Sequence, residues 1–433
     1  MSQPYTSIRI IEVGGTIAAA GATKTFADFG ADVIKIEPPA GGEVRRTPPF
    51  PGDLPHLDRG AFHLALDTGK RSLALDLHSP SGVQVLLDVA RGVDLALVNL
   101  PPPEARPLLE ALATLGDEAP STVTMTPHGL DGPLADNEEG DTSVFARTNR
   151  MLRHSFTGEE PLRYAPFVPT LQWASTTTAV AAATIWGHRH DGERRNVEVA
   201  AVEALSSNVD SWYVPWAFTG VDLPRDPGSR LVYPNGYLAC SDGYLIFSAA
   251  TQPFFSRLCH AIGKPELATD PRFLNPLEKP KHYDEYMGYL RPYLAARTRY
   301  QAFEELQAHG VMCAPLLDVR EAMADPQAVA RGAFVQVEQQ AGVGAQTIAG
   351  PPFRLRTAPA TAASEDGPAA PAASEDAAAP EDAAAPADAA ASEEAAWRPC
   401  PAPTLGQHTA ELLSAAGYTP DEQIALFRAR VTG

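Results

Sequence analysis

The sequence predicts an α/β fold with a doubly wound, Rossmann-like parallel sheet, and three features of its first hundred residues lead to that prediction. Residues 8–36 read as strand, glycine turn, helix and strand with short connections, the pattern of a right-handed βαβ unit. Gly30 stands where a helix-ending glycine is expected. Alternating strand and helix patterns continue through residues 72–98.

The first domain is predicted as short apolar strands separated by helices. Ser79 and Pro80 have the pattern of a helix N-cap followed by proline at the first helical position. The predicted strands cover residues 8–13, 33–36, 72–77, 94–98 and 122–125. The predicted helices cover residues 17–29, 79–91 and a buried segment, 171–186.

The chain is predicted to divide into two domains and an insertion. Residues 1–225 form the first part of a large ligand-binding domain, residues 226–325 form a smaller α+β domain, and residues 326–356 and 398–433 return to the large domain. Residues 357–397 repeat Ala, Pro and acidic residues, so we expect a disordered insertion. That insertion holds nine acids and no Lys or Arg, about half of the net charge of −19.

Composition narrows the class of protein. The acidic balance argues against a nucleic-acid partner or a membrane surface, and no apolar run approaches the roughly 20 residues of a membrane span. Cys240, Cys259, Cys313 and Cys400 are scattered and include no CxxC pair. Their spacing indicates neither a disulfide framework nor a zinc site, so we expect a cytoplasmic protein without a metal.

Basic residues occur near the predicted carboxyl ends of the first strands. Lys35 lies in the second strand, and a Pro-Pro-Ala-Gly-Gly loop leads to Arg45 and Arg46. Ligands of open α/β sheets bind outside these strand ends, so the cations favour a phosphate-bearing ligand. The glycines after the first strand do not form GxGxxG, which disfavours a nicotinamide or flavin. On this stretch alone, the cations are equally consistent with solvated surface charge.

Nine segments, in order along the chain, resemble the class III CoA-transferases of CaiB/BaiF type. That family includes formyl-CoA transferase, carnitine CoA-transferase and α-methylacyl-CoA racemase. The segments are FADFGADVIKIEPPAGGEVRR (26–46), DTGKRSLALDL (67–77), ALVNLPPP (96–103), TPHGLDGPLAD (126–136), YPNGYLACSDGYL (233–245), LATDPRF (267–273), HGVMCAPLLDV (309–319), DPQAVARG (325–332) and LGQHT (405–409).

The resemblance implies a substrate, an assembly and a set of binding residues. The substrate would be coenzyme A or an acyl-CoA together with a carboxylic acid, and the assembly an interlocked dimer, formed either by two copies or with a homologue. For such a substrate, the best candidates to hold the 3′-phosphate and diphosphate of CoA are Lys35, Arg45, Lys70 and Arg71, with Arg106 as a weaker fifth. The residues that match the family's adenine and pantetheine contacts are Gly15, Thr16, Ile17, Asn99 and Leu100.

One position departs from the family at its most important residue. The family nucleophile is an aspartate that ends a Val-Pro-x-x-Asp segment, whereas residues 168–172 read Val-Pro-Thr-Leu-Gln. Moving the alignment does not supply a carboxylate, because no Asp or Glu occurs between Glu160 and Asp191. The Gln172 carboxamide can donate and accept hydrogen bonds, but it is a poor nucleophile.

Three functions are compatible with this departure. The protein could transfer CoA, or carry out related thioester chemistry, without an aspartyl intermediate, Gln172 holding the thioester carbonyl. It could instead be a non-catalytic CoA-binding subunit paired with an Asp-bearing homologue. It could also run lyase, isomerase or condensation chemistry on the same fold.

Overall fold

The computed structural model describes residues 3–153, 158–207, 213–221, 233–355, 397 and 400–433. The predicted disorder of residues 357–397 lies outside these residues, apart from Trp397. The strands are β1 (Arg9–Val13), β2 (Asp32–Glu37), β3 (Arg71–Ala74), β4 (Leu95–Val98), β5 (Ser121–Thr126), β6 (Asn196–Ala200), β7 (Asn235–Cys240), β8 (Gly243–Ser248), β9 (Cys313–Pro315), β10 (Phe334–Gln339) and β11 (Gly344–Ala349).

Helices connect these strands, and most are shorter than four turns. They are α1 (Ile17–Asp28), α2 (Glu43–Arg46), α3 (Ala61–Leu66), α4 (Pro80–Ala90), α5 (Pro102–Ala113), α6 (Asp141–Arg147), α7 (Arg150–Arg153), α8 (Val168–Asp191), α9 (Ala201–Ser206), α10 (Tyr213–Thr219), α11 (Phe254–Ala261), α12 (Pro271–Leu274), α13 (Tyr283–Ala295), α14 (Arg299–Ala308), α15 (Val319–Ala324), α16 (Pro326–Ala330), α17 (Thr409–Ala415) and α18 (Pro420–Arg428). Short 3₁₀ turns cover Pro51–Asp53, Gly116–Glu118, Pro265–Ala268 and Lys279–His282.

Six parallel strands form the main sheet in the order β3-β2-β1-β4-β5-β6. Every adjacent pair is parallel. The order reverses direction between β1 and β4, as it does in the doubly wound dinucleotide-binding folds. The predicted parallel α/β sheet is therefore confirmed.

Alternate residues of β1 and β2 face opposite sides of the sheet. Ile11 and Ile34 belong to a buried apolar cluster that α4, α5 and α17 cover, through residues such as Leu86 and Leu412. On the other side of the sheet, α8 packs against α1: Thr178 Oγ1 donates a hydrogen bond to the Ala22 carbonyl at 2.9 Å. Helices therefore cover both faces of the sheet, as a buried parallel sheet requires.

The chain forms two compact units. The first unit contains the described residues of Met1–Glu138, Thr170–Ala201 and Gly332–Gly433, and the second those of Glu139–Pro169 and Val202–Arg331. Within the second unit, β7, β8 and β9 form an antiparallel sheet. Helices α11, α13 and α14 contribute Leu258, Leu290 and Leu306 to its apolar core.

The division differs from the predicted boundaries because the second unit also includes residues 139–169 and 202–225 where they are described. The reason is packing between two segments that lie far apart in the sequence. Tyr213 Oη donates to the Thr148 carbonyl at 2.6 Å, which joins the two segments. Local sequence patterns carry no information about such contacts.

Helix α8 is longer and more exposed than predicted. Its inner side is buried at Trp173, Ala174 and Ile185, and the Trp173 indole donates to the Val199 carbonyl at 2.9 Å. However, 68% of Trp186 is exposed, and its ring stacks on His190. The prediction of a buried helix therefore holds for the side of α8 that faces the sheet and not for the side that carries Trp186.

A buried ion network lies between β1, β2 and α1. Glu12 and Lys35 are register partners on the two strands, and their side chains form an ion pair at 3.1 Å. Lys70 also pairs with Glu12, at 2.8 Å, and both lysines pair with Asp67. Thr23 of α1 donates a hydrogen bond to Glu12 at 2.5 Å. Two cations and two anions balance one another where no side chain is exposed to solvent.

A second buried ion pair continues this network. The Arg45 guanidinium makes two hydrogen bonds to Glu37, at 2.7 and 2.8 Å, and a third to Asp58 at 2.8 Å. His63 joins the two sets, since its Nδ1 lies 2.8 Å from Asp67 and its Nε2 lies 3.1 Å from Arg45. Burial lowers the pKa of His63, and a neutral ring with its proton on Nδ1 satisfies both contacts.

The electrostatics of the network follow from its composition. Burial alone would raise the pKa of Asp67, but Lys35 and Lys70 hold that pKa well below its usual range. Burial alone would lower the pKa of Lys35, but Asp67 and Glu12 raise it above its ordinary value. The Asp67 carboxylate and the Lys35 ammonium are therefore both charged in the folded protein at neutral pH.

We expect Asp67→Asn to lower the free energy of unfolding by about 3–5 kcal/mol, because it leaves two buried ammonium groups with one carboxylate. Glu118→Gln, which removes a partner of the exposed Arg91, should change it by less than about 1 kcal/mol. Urea denaturation of both variants measures the difference. Similar losses would contradict a structural role for the buried network.

The same substitution predicts a pH dependence. A carboxylate whose pKa is lowered by folding stabilises the folded state above its unfolded-state pKa, about 3.9 for Asp, and loses that contribution as the pH falls toward its folded value. The stability difference between wild type and Asp67→Asn should therefore be constant from about pH 5 to pH 7 and narrow below about pH 4. Denaturation curves measured across this range test the sign.

Candidate active site

A cavity of about 600 Å³ lies at the carboxyl ends of the central strands of the main sheet. It is at the reversal point between β1 and β4, where open α/β sheets bind their ligands. The lining residues come from the segments that follow β1, β2, β3 and β4 and from α4 and α5. They are Gly14, Thr16, Ile36, Glu37, Pro38, Leu75, Asp76, Leu77, His78, Val83, Asn99, Leu100, Pro101, Pro103, Glu104, Pro107 and Leu108.

Glycines bring three backbone segments together at the mouth of this cavity. Gly14 has φ +128°, and a Cβ atom there would lie 2.1 Å from the Asn99 carbonyl oxygen. A Cβ on Gly42 would lie 2.3 Å from the Gly15 carbonyl oxygen. No larger residue fits at either position unless the backbone moves, so the glycines set the distance between β1 and the loop after β2.

Polar contacts join the first two turns of the sheet. Thr16 caps α1, its Oγ1 accepting from the Ala19 amide at 3.1 Å, and the same hydroxyl hydrogen-bonds to Asn99 Oδ1. Asn99 Nδ2 donates to the Met125 carbonyl at 2.8 Å. The Ile17 amide at the start of α1 donates to Glu43 at 3.3 Å. A carboxylate of the chain itself therefore occupies a helix end that could otherwise receive an anion.

The structure gathers part of the predicted binding set at the cavity. Thr16, Asn99 and Leu100 line it directly. Gly15 lies in the turn beside them, and Ile17 is buried at the start of α1. The first and second turns therefore lie at one cavity, and their role in contacting CoA stays a prediction.

The predicted cations lie elsewhere. Lys35, Arg45 and Lys70 have no exposed side chain and pair with carboxylates inside the first unit, so their placement does not support a phosphate-binding role. Arg71 is the first residue of β3, at the amino end of the strand and away from the strand ends that line the cavity, and it pairs with Asp32 at 2.6 Å. Arg106 donates to the Leu130 carbonyl and pairs with Asp136 at 2.9 Å.

The walls of the cavity are mainly apolar. None of the described residues that line it is Lys or Arg; His78 is the basic residue, and Glu37, Asp76 and Glu104 are acids. Glu37 is neutralised by its two hydrogen bonds from Arg45. The cavity is therefore suited to a flat or flexible ligand portion of low charge.

Sequence reasoning missed the third wall, residues 75–78, although a signal was present. Leu75, Leu77 and His78 follow β3, and the segments that follow parallel strands share one edge of the sheet. The segment was predicted as part of a longer strand, which concealed its position. The strand in fact ends at Ala74, where the Leu75 backbone bridges to Thr432.

Gln172 lies in the first turns of α8 and is partly buried. It is not among the described residues that line the large cavity. Its neighbours Leu171 and Ala174 line a second cavity of about 410 Å³ beside α1, together with Gly21, Phe26 and Phe353. The altered catalytic role of Gln172 stays a prediction.

The described residues offer neither a metal-binding cluster nor a membrane-spanning helix. No group of three or more His, Cys, Asp or Glu side chains is placed to hold a metal ion among the described residues. None of the described helices combines the length and the apolar character needed to cross a bilayer.

Comparison with known proteins gives consistent results. The model of CoA-transferase family III matches residues 5–377. The chain is 27% identical to succinate–glutarate CoA-transferase of Agrobacterium fabrum, over 78% of this chain and 86% of that protein. It is also 27% identical to the BbsE subunit of succinyl-CoA:(R)-benzylsuccinate CoA-transferase of Thauera aromatica, over 82% and 89%.

Solved structures share the fold. A CaiB/BaiF family protein from Brucella suis superposes with a TM-score of 0.73 at 20% identity, covering 96% of this chain and all of that one. Rv3272 from Mycobacterium tuberculosis gives a TM-score of 0.74 at 21% identity, covering 95% and 99%. The family match extends over most of the sequence, and the parallel sheet agrees with these structures. The chain therefore belongs to CoA-transferase family III.

Proposed function

We propose that this protein binds coenzyme A or an acyl-CoA at the cavity between β1 and β4 and acts in the metabolism of carboxylic acids as their CoA thioesters. The observation that carries the proposal is the cavity itself. It lies at the ligand-binding edge of the sheet and is lined by Thr16, Asn99 and Leu100, which match the family's CoA-contacting positions.

The chemistry of the walls indicates which part of CoA the cavity would hold. Leu75, Leu77 and Leu100 offer apolar surfaces that suit an adenine ring or a pantetheine chain, and Thr16 and Asn99 offer hydrogen bonds. No lysine or arginine lines the cavity among the described residues. The phosphates would therefore remain near solvent, with His78 as the basic group beside them.

The reaction would proceed without an aspartyl intermediate. A family aspartate attacks the thioester to form an anhydride, and a carboxamide cannot do so because its oxygen is a weak nucleophile. Gln172 instead supplies an amide donor that would hold the thioester carbonyl while the carboxylate of the acceptor acid attacks it. That attack forms a mixed anhydride and expels CoA thiolate, which then attacks the acceptor's carbonyl and releases the donor acid. This role depends only on the residue type at 172 and on its place at the start of α8.

A second candidate is a non-catalytic subunit of a heteromeric CoA-transferase. Two relatives are named as subunits: BbsE of the Thauera aromatica enzyme, and the beta subunit of succinyl-CoA–L-malate CoA-transferase of Chloroflexus aurantiacus. An Asp-bearing homologue would then supply the nucleophile. The activity of the isolated chain discriminates the two candidates, since a subunit without its partner should bind CoA and catalyse nothing.

We expect Leu100→Trp to weaken CoA binding by about tenfold or more, because a larger side chain on the cavity wall occupies the ligand's volume. Leu54→Trp is the control, because Leu54 is 64% exposed and does not line the cavity. Isothermal titration calorimetry with CoA measures both. Equal affinity in the two variants would place the CoA site elsewhere.

We expect Gln172→Asp to gain exchange between succinyl-CoA and labelled free acids, and to form an acyl adduct that hydroxylamine traps. Wild type and Gln172→Asn, whose side chain is isosteric with that of the Asp variant, should form no adduct at residue 172, because neither side chain carries a nucleophilic oxygen. Mass spectrometry of the peptide that contains residue 172 gives the readout. An adduct at residue 172 in wild type, or no gain of exchange in Gln172→Asp, would contradict this account.

A further inference from the structure

The second unit contains a cavity of about 340 Å³ that no part of the proposed CoA site uses. Phe255, Phe273 and Lys279 are buried and form its floor, and exposed residues form its rim. All of its lining residues lie between positions 250 and 279, within one unit. They are Ala250, Thr251, Gln252, Phe255, Phe273, Leu274, Pro276 and Lys279.

Lys279 lies at the floor of this cavity, and 8% of its surface is exposed to solvent. Its backbone amide donates to the Asn275 carbonyl at 2.8 Å, and its own carbonyl accepts from Tyr233 Oη at 2.6 Å. Its ammonium donates to the Ala250 carbonyl at 2.7 Å and lies 4.3 Å from the centroid of the Phe255 ring. The side chain is thus directed by contacts at both ends.

Lys279 forms no ion pair with a described carboxylate, although acids are close in the sequence. Glu278 pairs with Lys281 at 2.8 Å, and Glu285 pairs with Arg272 at 3.0 Å. The buried ammonium has one carbonyl and the faces of aromatic rings as its described partners. Burial accordingly lowers the pKa of Lys279 to about 8.

Lys35 in the first unit shows what a buried lysine ordinarily requires. It is fully buried and contacts two carboxylates, Glu12 and Asp67. A buried cation that lacks such partners is costly unless another anion reaches it. At Lys279 the adjoining space is a cavity with an apolar floor, which can admit that anion from solution.

We propose that this cavity binds a small carboxylate with an apolar body, whose carboxylate group pairs with the Lys279 ammonium. The apolar body would pack on Phe255 and Phe273, and the rim residue Gln252 would offer an amide to the same ligand. A single ammonium over an apolar floor matches a monoanion better than a phosphate, which favours several donors or the arginine fork. The proposal does not depend on CoA binding, because every residue involved lies in the second unit.

Benzoate is the probe, and benzamide is its neutral isostere. We expect full-length wild type to bind benzoate in isothermal titration calorimetry, and Lys279→Met to weaken that binding by about tenfold or more, the effect of losing one charge-assisted hydrogen bond. Lys281→Met is the matched control, because Lys281 is exposed and two residues away. Equal binding by the Lys279 and Lys281 variants, or benzamide binding as tight as benzoate, would overturn the proposal.

Two further readouts keep the test decisive if Lys279→Met does not fold. Lys279 is the one titratable residue among the described residues that line the cavity, and burial lowers its pKa to about 8. Burial raises the pKa values of Cys259, Tyr233 and Tyr286, which belong to the same apolar core as Phe255, so these groups keep their protons between about pH 7 and pH 9. Wild-type affinity for benzoate should be highest below about pH 8 and fall above it. Thr251→Trp, at the exposed rim, should block binding without removing the ammonium. Affinity independent of pH or of the Thr251 substitution would contradict the site.

The outcome is separable from that of the CoA proposal. Leu100→Trp alters the first unit and should leave benzoate binding unchanged, and saturating CoA should not displace benzoate. Displacement of benzoate by CoA would mean that the probe occupies the CoA site, and would overturn the assignment to Lys279.

Discussion

The ion pairs among Glu12, Lys35, Asp67 and Lys70 are the interaction on which the first unit depends. They join the two leading strands and the loop before β3 at a point that water does not reach. The two positive and two negative charges balance, so the desolvation cost of burying them is offset only when all four side chains are in place. The same connection reaches the cavity edge through His63, Arg45 and Glu37, so the shape of the ligand-binding turn is coupled to pairs buried beneath α1.

The order and direction of the main strands could be predicted because short apolar runs separated by helices allow few topologies. The partners of the buried side chains could not be predicted in the same way. Lys35 occurs in an apolar strand, and the sequence does not say whether it points into a ligand site or toward Glu12 on the neighbouring strand. A parallel register that pairs Glu12 with Lys35 becomes evident only when both strands are placed side by side. The cations were therefore assigned to phosphate binding on proximity to strand ends alone.

The candidate site was predictable to the extent that it consists of strand-following turns. Thr16, Asn99 and Leu100 follow β1 and β4, and such turns share an edge in any parallel sheet. The wall at residues 75–78 depends on where β3 stops, and the next residue, Leu75, bridges to Thr432 more than 350 positions later. The role of Lys279 could not be predicted either. It depends on the three-dimensional surroundings of the ammonium, which contacts a carbonyl and an aromatic ring and forms no ion pair with a described carboxylate.

The C-terminal segment completes the first unit only at the end of synthesis. The Gly406 amide donates to Ser72 Oγ, the Pro403 carbonyl accepts from Arg45, and Leu412 and Leu413 complete the apolar cluster over β3. During synthesis, the entire second unit leaves the ribosome before these residues do. The face of the first unit near β3 must then stay uncovered while more than 300 further residues are added, which gives chaperones a defined window in which to bind it.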